Sequence, residues 1–134
     1  MDPSLAEEKE GFAMKEFGEV IFSYSRKQAI EDGVLVDVSD WASPREMMGG
    51  FTIPVAMTAA VWALVEAPEK SHEDTRGRAH DVLWMAQLAA RRNLDTDRTA
   101  FTVLINGKEA DLVLHVGPGD DGEPVATIML PGED

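Results

Sequence analysis

Apolar and polar positions change their period along this chain, and the changes mark its elements. Residues 99–105 (TAFTVLI) alternate, the two-residue repeat of a half-buried strand. Asn106-Gly107 follows, the pair best suited to a two-residue hairpin turn, and residues 109–116 answer as the returning strand. Residues 124–130 supply a third strand. Upstream the period is helical. Residues 79–92 (AHDVLWMAQLAARR) are apolar on most sides, which predicts a central, heavily packed helix from about residue 73, with Val82, Leu83 and Ala86 in the core. Residues 55–67 (VAMTAAVWALVEA) read as a second helix with Val55, Ala59 and Trp62 on one face. It begins at Pro54 or is capped at Thr58, and Pro68 stands beyond its end.

The first third is more broken. Residues 19–25 (EVIFSYS) alternate and read as a short strand. Ser25 caps a short helix over 26–32, and Gly33 suits the position after its last turn. Residues 34–40 (VLVDVSD) are extended, and Ser43 with Pro44 opens another short helix that Gly49-Gly50 ends. Residues 1–19 scatter Leu5, Phe12 and Phe17 among charges and form an acidic arm or short helix. The expected fold is therefore α+β, with one domain over residues 20–134. A C-terminal three-stranded antiparallel meander packs against two or three helices, and the short N-terminal extended segments either extend that sheet or pair separately.

Composition narrows the function classes. A chain of 134 residues with 44% hydrophobic residues can bury a core unaided. The absence of cysteine removes disulfides, thiolate nucleophiles and Cys-based zinc sites. The net charge of −13 argues against direct nucleic-acid binding and against anionic membranes. That charge sits at the two ends, and residues 99–134 carry seven acids against one base. The opening MDPSLAEEKE lacks the apolar stretch of a signal peptide, and no apolar run is long enough to span a bilayer, so a cytoplasmic protein is expected.

No catalytic constellation emerges. The histidines His72, His80 and His115 have no metal-binding spacing, and neither a G-x-S-x-G elbow nor a phosphate-binding loop is present. No metal and no cofactor is expected. The densest carboxylate cluster, Asp120, Asp121 and Glu123 in GPGDDGE, lies between two strands and reads as a turn, because its acids lack the regular spacing of a calcium loop. On the long helix, His80, Trp84, Gln87 and Arg91 recur at helical spacing. They form either a solvent-facing strip or a recognition face anchored by Trp84 and Arg91.

Four stretches carry a resemblance: FSYSRKQAIEDGVLVDVSD, FTIPVAMTAAVWALVEAP, AHDVLWMAQLAARR and the closing GPGDDGEPVATIMLPGED. From about residue 20 to residue 134 the chain resembles a bacterial family of uncharacterised proteins, similar to accessory gene products of plasmids, phages and integrated elements. That resemblance implies no activity and no catalytic residues; it implies a mobile-element context of host defence or element maintenance. The expectation is a non-enzymatic interaction protein that meets a basic protein partner, and its carboxylates Asp120, Asp121, Glu123, Asp37 and Asp40 are the best-placed contacts. The alternative is a small ligand-binding or enzymatic domain with Tyr24, His80 and His115, together with Trp84, lining a pocket between helix and sheet. A homo-oligomer is a third reading.

Overall fold

A computed structural model of the chain describes residues 24–66 and 74–133. The elements run α1 (Arg26–Glu31), β1 (Leu35–Asp37), α2 (Ser39–Ala42), β2 (Val55–Thr58), α3 (Ala59–Val65), α4 (Thr75–Arg92), β3 (Arg98–Ile105), β4 (Lys108–Pro118) and β5 (Pro124–Met129). The strands make one five-stranded sheet in the order β1-β2-β5-β4-β3. The α+β class is as expected, but the sheet is not the three-stranded antiparallel meander. β3, β4 and β5 do pair antiparallel in sequence order, yet β2 adds to β5 in parallel and β1 adds to β2 antiparallel, so the sheet is mixed. The expected strand over 19–25 and the acidic arm over 1–19 fall mostly outside the described residues.

The largest departure from the expected elements is β2. Its residues VAMT were expected to be the first turn of a helix. They are a central strand, with Val55, Ala56 and Met57 fully buried on both faces. A strand covered on both sides shows no alternation, so its apolar run merges with the helix that follows. The alternative cap was correct: Thr58 leaves the strand, and its hydroxyl accepts a hydrogen bond from Val61 N–H at 3.3 Å to open α3. The helix expected after Pro44 is also absent. Ser43 instead ends α2, and its carbonyl accepts from Glu46 and Met47 in turns.

Other local signals hold. Ser25 and Gln28 close a capping box on α1, and Gly33 takes φ +79° beyond its end. Asn106 (φ 53°) and Gly107 (φ 78°) form the tight β3–β4 turn. Asp74 caps α4 through Gly77 N–H at 2.5 Å.

The core lies between the sheet and α2, α3 and α4. Val82, Leu83 and Ala86 of α4 meet Val55, Met57, Leu112, Ala126 and Ile128 with no exposed surface. Thr127 points to the opposite face, where the Arg26 guanidinium donates to its hydroxyl at 2.8 Å and to the Ala126 carbonyl at 2.8 Å. α1 therefore lies across the far side of the sheet from α4. The C-terminal segment is also tied down. Glu133 accepts from Leu130 N–H at 2.7 Å and from the Thr58 hydroxyl at 2.9 Å, so this acid serves the fold.

Candidate functional site

Where β1 turns into α2, the sequence DVSDW folds into a tight polar corner. Asp37 accepts from the Ser39 N–H at 2.9 Å and from the Ser39 hydroxyl at 2.6 Å, and Ser39 Oγ in turn accepts from Val55 N–H at 3.0 Å. This fixes the start of α2, leaves Asp40 exposed on its first turn, and turns Trp41 toward α3. Trp62 of α3 meets it with ring centroids 6.1 Å apart and planes tilted by 36°. Asp37, Val38, Asp40, Trp41 and Trp62 line a cleft of about 230 Å³. The Arg76 guanidinium, itself paired with Glu46, lies 5.2 Å from the Trp41 ring centroid. One aromatic face of the cleft thus already carries a cation from the same chain.

No spacing in the sequence links Trp41 to Trp62. Trp41 and Trp62 belong to separate helices, and only the β1–β2 pairing that sets α2 beside α3 brings them together. The one local hint was Trp41 directly after Asp40.

The second carboxylate group is arranged differently. GPGDDGE does connect the antiparallel β4 and β5, with Gly122 at φ +85°. Asp120, however, accepts from the main-chain N–H groups of Arg26 at 2.8 Å and Lys27 at 3.0 Å. Those two bonds hold its carboxyl below the usual carboxylate range. Glu123 accepts from Asp121 N–H at 3.0 Å, which folds the turn on itself. Burial pushes the Arg26 guanidinium down from its ordinary value, while Asp37, Asp120 and Glu123 push it back up. Three of the five acids expected to face a partner therefore act electrostatically on one arginine of their own chain.

The α4 stripe is interrupted. His80 stacks on Trp84 with centroids 6.3 Å apart, and Arg91 is exposed, but Gln87 is buried and donates to the Met48 carbonyl at 3.0 Å. The loop through Met48 and Gly49 crosses the helix there, so the four residues do not form one open strip. Tyr24 donates to Asp32 at 2.5 Å, a bond that raises its phenol above the ordinary value. His115 lies on the far face of the sheet, in register with Thr127 and Arg98. Tyr24 and His115 are therefore separated from His80 by the sheet itself, and the three do not line a common pocket. Among the described residues no group of three His, Asp or Glu could hold a metal, and no helix is long and apolar enough to cross a membrane.

The fold and the cleft together define a small α+β protein with an acidic and aromatic cleft between α2 and α3. Its sequence matches the model of the family of unknown function DUF6573 over residues 12–134, and the chain belongs to that family. No curated protein and no solved structure matches it.

Proposed function

We propose that this protein is a non-enzymatic binding protein that captures a basic segment of a partner protein in the cleft between α2 and α3. The observation that carries this reading is the pairing of Asp37 and Asp40 with the Trp41 and Trp62 rings around one opening. Carboxylates supply charge for an arginine or lysine side chain, and indole faces take its delocalised or methylene portion. Arg76 on Trp41 is an intramolecular example of the same contact. The net charge of −13 supports rapid association with a basic partner. The resemblance to accessory proteins of plasmids and phages supports a partner such as a nucleic-acid-binding protein of the host, whose basic surface this protein would occupy by charge mimicry.

The test is a tryptophan-fluorescence titration with an arginine-rich peptide and a glutamate-rich peptide of equal length. The basic peptide binds, the acidic one does not, and affinity falls as salt rises. Asp40→Asn weakens binding about fivefold or more without changing the circular-dichroism spectrum, in line with a partly screened charge contact. Equal binding of both peptides, or no effect of Asp40→Asn, would refute the cleft as the binding site.

A further inference from the structure

Many of this chain's carboxylates already serve its own fold. Asp120 caps α1, Asp37 holds Ser39, Glu133 ties Thr58 to Leu130, and Asp111 accepts from the Thr102 hydroxyl at 2.9 Å. Asp81 and Glu109 differ. Both are exposed, and among the described residues neither is paired with a lysine or an arginine. Asp81 stands 3.8 Å from the nearer ring nitrogen of His80.

These two acids line one groove of about 410 Å³ that wraps the hairpin end of β3. Asp81, Trp84 and Met85 share one side of α4, at i, i+3 and i+4. Val103 and Leu104 add apolar surface from β3, and Glu109 stands opposite Leu104 on β4. His80 stacks on Trp84 with planes 14° apart, which steadies the indole. The strand edge contributes acceptors. A two-residue turn makes its flanking pair, Ile105 and Lys108, the hydrogen-bonded one, and the pattern alternates from there. The carbonyls of Thr102 and Leu104 therefore point away from β4, and among the described residues no strand pairs with that edge.

We infer that this groove binds a small organic amine, an ammonium group joined to an apolar or aromatic body. The ammonium brings one positive charge and three donors, which the Asp81 and Glu109 carboxylates and the outward carbonyls match. Its body lies against Trp84, Met85, Val103 and Leu104, and an indole face attracts a cation as well. Among the described residues no lysine or arginine lines the groove to oppose it. The same charges disfavour other occupants. A carboxylate or phosphate ligand would meet two acids, and so would a second copy of this chain at net charge −13. A basic strand laid along the whole edge would meet Arg98 at its far end. The groove takes in only Thr102, Val103 and Leu104 of β3 and about one turn of α4, and its volume is that of a small-molecule site. It shares no lining residue with the α2–α3 cleft, so it stands independently of the function proposed above.

Amide and indole N–H NMR of the full chain tests this, with phenylbutylamine as the probe and phenylbutanol and phenylbutyrate as its neutral and anionic counterparts. At about millimolar concentration the amine shifts the Trp84 indole N–H and the Leu104 and Glu109 amides in a saturable way. The alcohol binds about fivefold or more weakly, and the acid leaves those signals in place. Replacing both carboxylates, Asp81→Asn with Glu109→Gln, brings the amine down to the affinity of the alcohol. Both side chains are exposed, so the spectrum keeps its dispersion. Equal binding of amine and alcohol by the unaltered protein would overturn the inference, and that comparison needs no variant. So would an unchanged amine affinity in the double variant, or no shift up to about 10 mM. Shifts confined to the Trp41 and Trp62 indoles would also overturn it, because the amine would then sit in the α2–α3 cleft.

Discussion

Asp120 holds the first turn of α1 from 94 residues away: its carboxylate accepts the main-chain N–H of Arg26 at 2.8 Å and, through its other oxygen, that of Lys27 at 3.0 Å. The acid that looked most available to a partner is thus the external cap of a six-residue helix.

Replacing it with alanine lowers the urea midpoint at neutral pH, where a solvated turn residue would leave it unchanged. The folded-state carboxyl titrates below the unfolded value near 3.9, so its stabilisation is fully present above that value and is lost as pH falls through the folded one. The gap between wild type and Asp120→Ala is therefore constant near neutrality and closes below about pH 4. A gap that persists unchanged at about pH 2 would show that the loss has another origin.

Leu83 has no exposed surface and sits where α4 meets the sheet. Leu83→Ala costs about 2 to 5 kcal/mol in urea unfolding, the transfer and cavity terms together. A loss under about 1 kcal/mol would mean the helix presents another face.

Gly49 and Gly33 both take positive φ, at +72° and +79°, but only one is crowded. An added Cβ at Gly49 would meet the Arg91 guanidinium and lie 2.8 Å from Gln87 Oε1, whereas at Gly33 nothing stands within 4 Å. Gly33→Ala carries only backbone strain of about 1 kcal/mol, and Gly49→Ala costs more because the loop must also lift from α4. Equal losses in a thermal melt would show that the Arg91 and Gln87 side chains give way freely.

Gln87→Ala removes the bond to the Met48 carbonyl, and the expected loss is about 1 to 3 kcal/mol by urea unfolding. Faster proteolysis within residues 44–50 should accompany it. Unchanged cleavage there would show that the loop is held by other contacts.

What the sequence revealed follows how local each signal is. The β3–β4 hairpin was legible because strand alternation and Asn106-Gly107 are contiguous in the chain. The core face of α4 was legible for the same reason, from spacing within one helix. β2 was not, since burial on both faces erases the alternation that marks a strand. The α4 stripe failed at Gln87 because spacing says which residues share a face, not what crosses it. The functional features were the least legible. Trp41 and Trp62 meet only through sheet pairing, and Asp120 meets Arg26 only through the closure of the whole sheet.

β5, the last of the described strands in the chain, occupies the middle of the sheet, with β2 on one side and β4 on the other. During synthesis β1 and β2 leave the ribosome well before the strand that joins them to β3 and β4 exists. Until residues 124–129 emerge, Val55 and Met57 lack one neighbour, and the two halves of the sheet remain separate pieces. Completion of the fold therefore waits for residues 124–129, and a nascent chain stalled short of β5 exposes the apolar strand that a chaperone would recognise.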